Sequence, residues 1–352
     1  MIQDLRQQEN TLKSVSTTDP IILCASDDNY AKPLAVTLHS AASNLRAGSH
    51  LNVILMDGGI SESSWQGLRE TLIDLPITLH ILRPDPQEIR DLGTSHHITH
   101  TAYFRLLAAR LLPDSIDKVI YLDSDVLVKG DLNDLWDLPL NDHYCLAAVD
   151  IACPFVNAYE ALAKDKSIKS SIPHYAAISP IPNWRQLSLD GSENYFNSGV
   201  MVINLARWRE EAIDQKLLAC LRNNQSYVWC WDQYALNVVF AKQWGKLPAK
   251  WNQGYHVFEY PDESFSPIDE QEFVSMRDEP ELIHFTTEFK PWDFTQFHPL
   301  RESFYHELDQ TAWRGWRPTK PEFSLKRWWD LKAVGVIRFC VVNYRKIRGL
   351  VT

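Results

Sequence analysis

The chain has 352 residues, 45% of them hydrophobic and 23% charged, a globular composition with enough apolar material for one large domain or two modest ones. No apolar run approaches the roughly 20 residues needed to span a bilayer, and residues 1–20 are polar, without the apolar segment of a secretory signal. The net charge of −10 argues against nucleic acid as the main partner, but residues 312–352 carry ten Lys/Arg against two Asp/Glu, a basic tail on an acidic body.

An apolar run at 20–26 is followed at once by Asp27, Asp28, Asn29 and Tyr30, then by a helical stretch over 31–44. Strand signals recur at 52–56 and 77–82, separated by a polar helix start at 61–64, with Pro84 and Pro86 closing the second. A helix is expected over 103–112, ended by Pro113, and a strand over 118–122. This alternation predicts an α/β fold with a mostly parallel sheet flanked by helices. Ligands on such sheets gather at the C-terminal ends of strands, where Asp27 and Asp123 fall. Neither a GxGxxG nor a Walker-type lysine loop is present, so a nucleotide would be held some other way.

Further strands are expected at 145–150 and 196–205, helices at 206–222 and 231–240, and a last short strand at 281–285. The long connection 151–193, with Pro154, Pro173, Pro180 and Pro182, reads as an excursion over the site. Six cysteines (Cys24, Cys145, Cys153, Cys220, Cys230, Cys340) share no metal-type spacing, as expected of buried thiols in a reducing compartment. The implied organisation is an N-terminal extension (1–19), a main domain (20–317) and a basic, Trp-rich tail (318–352).

The most informative segment is Val119-Ile120-Tyr121-Leu122-Asp123-Ser124-Asp125-Val126-Leu127-Val128. Apolar residues lead into two aspartates one residue apart and resume after them. Paired carboxylates at a strand end repel unless a cation lies between them. Oxygen ligation suits a hard ion, Mg²⁺ or Mn²⁺, of the kind that bridges to phosphates.

Seven blocks together resemble the family 8 retaining glycosyltransferases, near the bacterial lipopolysaccharide galactosyl- and glucosyltransferases and the general stress protein A-like proteins. They are ASDDNY (25–30), HITHTAYFRL (97–106), VIYLDSDVLVKGDLNDLWD (119–137), YFNSGVMVINLARWR (195–209), WDQYALNVVF (231–240), LPAKWN (247–252) and HFTTEFKPW (284–292). The resemblance implies a GT-A, Rossmann-like mixed sheet and transfer of galactose or glucose from UDP-galactose or UDP-glucose. Asp123, Asp125 and His284 match the metal ligands, and the imidazole tilts preference from Mg²⁺ toward Mn²⁺. Lys290 matches the lysine on the β-phosphate, Asp27 and Asn29 the uracil and ribose contacts, and Tyr30 the base platform. Arg105 matches an arginine near the donor sugar and phosphates. Asn197, Asp232 and Gln233 match groups that bond the sugar, Gln233 being nearest the face of attack. Thr287 stands where the family usually has glycine, close to the phosphates.

His96, His97 and His100 fit no helix or strand face as a zinc site, and His97 is better read as a wall of the acceptor pocket. The tail, with Trp313, Trp316, Trp328 and Trp329 among basic residues before the apolar stretch 333–344, suits an interfacial helix on anionic lipid. The expected location is cytoplasmic, peripheral on the inner face of the membrane, with a glycan or lipid-linked acceptor; homo-oligomerisation is open. Two rivals stand beside this reading. A haloacid-dehalogenase phosphatase would share the LDSDVLV pattern but needs it near the N-terminus with a paired-acid motif later, whereas Asp27-Asp28 comes earlier. A non-catalytic UDP-sugar sensor would keep every binding residue.

Overall fold

The computed structural model describes residues 2–4, 15–93, 100–164, 179–287, 290–293 and 298–319. Eight strands form the main sheet: β1 (Ile2–Asp4), β2 (Ile21–Ser26), β3 (Leu51–Asp57), β4 (Ile77–Leu82), β5 (Lys118–Leu122), β7 (Cys145–Val149), β8 (Phe196–Asn204) and β9 (Trp244–Lys246). Their spatial order is β1-β4-β3-β2-β5-β8-β7-β9, and β8 alone runs against its neighbours. A second sheet, in the order β10-β11-β6, comprises β6 (Val126–Val128), β10 (Gln253–Gly254) and β11 (Leu282–His284). Within the segment read as an N-terminal extension, β1 pairs in parallel with β4 at the sheet edge.

Every residue of β2 and β3 is buried. Strands covered on both faces read as continuous apolar runs, which is why 20–26 and 52–56 stand out in the sequence. The helix Ala31–Ser43 covers one of those faces and buries most of its length. Ser61 caps the next helix, Glu62–Leu72, accepting from the Ser64 N–H at 3.3 Å.

Two expected helices differ. Over 103–112 the chain winds as a 3₁₀ stretch, His100–Leu107, then one short α-helix, Ala108–Leu111. Eight residues is long for a 3₁₀ run, and such runs often mark functional strain; this one carries Arg105. The helix expected at 206–222 is two, Leu205–Glu210 and Ile213–Asn223, broken where Ala212 takes a φ of 49°. The break turns Ile213, Leu217 and Leu221 into the core.

The helix Arg301–Leu308 packs on Ala31–Ser43, with His39 Nδ1 2.6 Å from Glu307 Oε1. Trp313 lies over Gly67, where a Cβ would come within 2.6 Å of the indole, and Trp316 lies 5.0 Å from Lys32 Nζ. Trp313 and Trp316, grouped above with the lipid-facing tail, therefore pack on the body. Trp328, Trp329 and 333–344 lie outside the described residues, as does Cys340. The five described cysteines are unpaired thiols. Among the described residues no helix is long and apolar enough to cross a membrane.

Candidate active site

The Asp-Ser-Asp segment is the corner at which the chain leaves one sheet for the other. β5 ends at Leu122 and β6 begins at Val126, so apolar residues flank the acids because two separate strands do. Pairing across the corner brings in the distant residues. In the main sheet Leu122 faces Val200 on β8, and the Asp123 N–H donates to the Gly199 carbonyl at 2.8 Å. In the second sheet Val126 faces His284 on β11, and the Phe285 N–H donates to the Asp125 carbonyl at 3.0 Å. β10 then sets Gly254 beside His284, which seats Asn252 at the imidazole.

Asp123, Asp125 and His284 consequently converge, one ligand atom from each lying within 4.8 Å of the others. His284 Nε2 is 3.6 Å from Asp123 Oδ2 and 3.4 Å from Asp125 Oδ1. The opposite ring nitrogen, Nδ1, meets Asn252 Oδ1 at 2.9 Å, a bond that requires Nδ1–H, so in the neutral ring the Nε2 lone pair faces the carboxylates. Two carboxylates and one imidazole lone pair suit a divalent cation such as Mn²⁺.

Lys290 Nζ bonds Asp125 Oδ2 at 2.6 Å and the Phe285 carbonyl at 2.5 Å. Burial opposes its charge, but Asp125 and its neighbours outweigh that and hold the ammonium above its ordinary value. Asp125 thus divides its oxygens, Oδ1 to the imidazole and Oδ2 to the ammonium. Arg105, buried, donates from Nη2 to Asp123 Oδ1 at 2.7 Å and from Nη1 to the Ser198 carbonyl at 2.7 Å. Its guanidinium lies 4.0 Å from the Tyr121 ring centroid, and the Tyr121 hydroxyl also donates to Asp123 Oδ1, at 2.9 Å.

Asp232 Oδ2 lies 3.0 Å from Arg105 Nε yet accepts no aligned hydrogen bond among the described residues, which keeps a lone pair for a hydroxyl. Burial lifts its carboxyl from 3.8 to about 6, with Arg105 opposing and Asp123 adding to the rise. Gln233 is held at both ends: Nε2 donates to Asp150 Oδ2 at 2.9 Å, while Oε1 accepts the Ser198 N–H at 3.0 Å. A neutral amide held in this way is a poor nucleophile. Asn197 donates to the same Asp150 oxygen at 3.1 Å.

The expected base site sits at the end of β2. Asp27 Oδ1 accepts the Asn29 N–H at 3.0 Å and so caps the turn Asp28–Tyr30. Tyr30 meets Trp292 edge-on, ring centroids 6.0 Å apart. Burial raises the Tyr30 phenol; Lys290 opposes that, while Asp125 and Asp123 add to it, so Tyr30 and the carboxylate cluster share one electrostatic environment. His96 and His97 lie outside the described residues.

Thr287 has a φ of 73°. A β-branched side chain in the left-handed region costs about 1–2 kcal/mol, and this is the position at which the resemblance expects glycine. Thr287→Gly should therefore raise stability by about 0.5–1 kcal/mol after glycine's entropic cost is subtracted. A thermal midpoint that stayed level or fell would show that contacts of the threonine side chain offset the strain.

Asp150, Asn252 and Gly199 were given no role in the sequence. Asp150 had an available signal: like Asp27 and Asp123, it is an acid directly after an apolar strand. Asn252 ends the LPAKWN block without a chemical cue. Gly199 falls within the strand expected at 196–205 with nothing local to single it out, yet a Cβ there would lie 2.2 Å from His284 Cε1 and 2.7 Å from Asp123 Oδ2.

The Rossmann-like mixed sheet carries its acidic corner at the end of β5, where the chain passes into the second sheet. Residues 21–296 match the family model described as Glycosyl transferase family 8, and the chain belongs to that family. It is 28% identical to general stress protein A of Bacillus subtilis over 83% of this chain and 94% of that protein. Identity to the lipopolysaccharide 1,2-glucosyltransferase of Escherichia coli K12 is 24%, over 89% of this chain and 85% of the relative. The crystal structure of the galactosyltransferase LgtC with donor and acceptor sugar analogs superposes with a TM-score of 0.66 at 23% identity, covering 86% of this chain and 98% of that one. The GT-A architecture implied by the sequence blocks is the fold found.

Proposed function

We propose that this glycosyltransferase is a metal-dependent, retaining hexosyltransferase that moves galactose or glucose from a UDP-sugar to a hydroxyl of a glycan or lipid-linked acceptor, in lipopolysaccharide or cell-surface glycan synthesis. The observation that carries the reading is the convergence of Asp123, Asp125 and His284 from two sheets beside the half-buried Lys290. Those three residues would hold Mn²⁺, or Mg²⁺, and the ion would neutralise the diphosphate of the donor. Lys290 adds a point charge for the departing UDP, where charge develops as the glycosidic bond breaks. Asp27 and Asn29 bind uracil and ribose, Tyr30 stacks on the base, and the Thr287 backbone lies at the phosphates. Arg105 orients Asp123 and Asp232 while keeping both ionised carboxylates compensated. Asn197, Asp232 and Gln233 bond the hexose, whose reacting carbon becomes oxocarbenium-like. With Gln233 engaged at both ends, front-face attack, in which the leaving UDP oxygen takes the acceptor's proton, fits better than double displacement. A covalent sugar trapped on Asp232 would refute that route.

The test is UDP release from a panel of nucleotide sugars with and without Mn²⁺, beside Asp125→Asn. Mn²⁺-dependent release from one UDP-hexose, lost in the variant, is expected. Metal-dependent binding of UDP-sugar without turnover in the presence of acceptor extracts would favour the non-catalytic sensor, and release of phosphate would favour the phosphatase.

Asp232 gives the reading a pH signature. A folded-state pKa of about 6 against 3.8 means the folded chain holds this proton more tightly than the unfolded chain. Stability from this group is therefore greatest below the lower value and declines as pH rises through the higher one. Hydrogen bonding to the hexose uses the ionised form, so kcat should rise with pH through about 6. Asp232→Asn should lack that limb; a wild-type profile flat through the same range would remove Asp232 from this role.

The tail is proposed to hold the enzyme at an anionic inner-membrane surface, its basic residues on lipid phosphates. Deleting residues 320–352 should abolish co-sedimentation with anionic liposomes, and undiminished binding would place the attachment elsewhere.

A further inference from the structure

Three side chains, Asn252, Asn197 and Asp150, join the imidazole of His284 to the amide of Gln233 in one unbroken series of hydrogen bonds. His284 Nδ1 meets Asn252 Oδ1 at 2.9 Å, and Asn252 Nδ2 donates to Asn197 Oδ1 at 3.0 Å. Asn197 Nδ2 donates to Asp150 Oδ2 at 3.1 Å, and Gln233 Nε2 donates to that same oxygen at 2.9 Å. Asp150 and Asn252 are both buried, while Asn197 and Gln233 are half-buried.

The direction of every bond follows from a few groups that cannot reverse. Asp150 is a carboxylate and accepts only; its other oxygen already takes the Ala152 N–H at 2.8 Å. Gln233 and Asn197 must therefore both turn their NH₂ groups toward it. Two backbone donors agree: the Ser198 N–H needs Gln233 Oε1 at 3.0 Å, and the Gly199 N–H needs Asn197 Oδ1 at 3.0 Å. Asn197 then offers Asn252 only an oxygen, so Asn252 presents its NH₂ there and its own oxygen to His284. An oxygen facing Nδ1 admits one neutral tautomer, with the proton on Nδ1 and the lone pair on Nε2, where Asp123 and Asp125 converge.

We propose that Asp150 is a positioning residue that, through Asn197 and Asn252, sets the tautomer of His284 and at the same time the orientation of Gln233. One buried carboxylate thus pre-organises both the cation ligand and the group expected nearest the attacking hydroxyl. The hydrogen-bond directions stand on geometry alone; their catalytic consequence rests on the cation-site reading above. Outer partners of a ligating histidine typically change metal affinity by about 10- to 100-fold when removed.

The experiment uses the full-length protein labelled with ¹⁵N-histidine, free of metal, in alkaline buffer, with His284 assigned by its loss in His284→Gln. The unaltered chain should show His284 with a protonated Nδ1 and an unprotonated Nε2. Asp150→Asn, nearly isosteric, must point an NH₂ either at the Ala152 N–H or at the two incoming donors, so His284 should become a mixture of tautomers. Asn252→Leu removes the acceptor directly and should do the same, which covers a failure of Asp150→Asn to fold. Mn²⁺ affinity by titration calorimetry should fall about 10- to 100-fold in both variants, and Asp150→Asn should lower kcat more than it raises the donor KM. A His284 protonated at Nε2 in the unaltered chain would overturn the proposal. So would a tautomer that ignores Asp150→Asn while responding to Asn252→Leu, since the signal would then start at Asn252. If the unaltered chain binds no Mn²⁺, the cation-site reading fails, and with it the catalytic half of the proposal, while the tautomer result still judges the relay.

Discussion

Gly199→Ala should abolish Mn²⁺ binding and reduce sugar transfer by at least about 100-fold while the protein remains folded. The added methyl would lie 2.2 Å from His284 Cε1 and 2.7 Å from Asp123 Oδ2, far inside van der Waals contact. Neither obstacle can yield cheaply. The His284 ring is tied through Nδ1 to Asn252, and Asp123 is tied through Oδ1 to both Arg105 and Tyr121. On the β5 side β8 is tied at this point, because the Gly199 carbonyl accepts the Asp123 N–H at 2.8 Å. The methyl must therefore split the two ligands whose convergence defines the site. Overpacking of one group costs the fold about 1–3 kcal/mol, which a domain of this size can absorb. Calorimetric Mn²⁺ titration and UDP-release kinetics on a variant with native circular dichroism check the expectation. Near-native metal affinity would mean that the sheet relaxes around position 199 and that the close approach has no functional weight.

The same corner explains what was legible in the chain and what was not. The acids at Asp123 and Asp125 stand out because apolar strands flank them, and strand burial is a local pattern. That those strands belong to different sheets is not local. It depends on β6 pairing with β11 in the register that sets Val126 opposite His284, across most of the intervening chain. A resemblance in seven blocks could supply His284 and Lys290 as partners of the aspartates; their distances follow only from that register. Gly199 shows the limit most clearly. Within the strand expected at 196–205 nothing local marks Gly199, and the reason for a residue without a side chain lies in what approaches it from β5 and β11. The helix expected over 103–112 failed because helical composition does not distinguish α from 3₁₀ winding. The tighter winding accompanies Arg105, whose Nε donates to the Ala102 carbonyl at 3.2 Å while its far end reaches Asp123.

Lys290→Met should move metal affinity and turnover in opposite directions. In the metal-free chain the ammonium is the counter-charge of a buried carboxylate: Nζ lies 2.6 Å from Asp125 Oδ2, and Lys290 and Asp125 are both largely shielded from water. Removing one partner of such a pair leaves the other charge uncompensated, at a cost of about 3–5 kcal/mol. A divalent cation at Asp123, Asp125 and His284 supplies that missing charge, and it no longer has to bind beside a fixed positive group. Mn²⁺ should accordingly bind Lys290→Met more tightly than it binds the unaltered chain, and raise its thermal midpoint by more, because a ligand stabilises the state it binds in proportion to its affinity. Turnover should respond the other way. The charge that develops on the departing diphosphate loses a donor, a deletion that typically reduces kcat about 100- to 1,000-fold. A role for Lys290 in folding alone predicts a variant that is rescued fully by saturating Mn²⁺, in turnover as well as in stability. A role at the leaving group predicts that stability recovers and turnover does not. Thermal scans and kcat measured across the same Mn²⁺ series separate the two, and complete recovery of kcat would withdraw Lys290 from the chemistry.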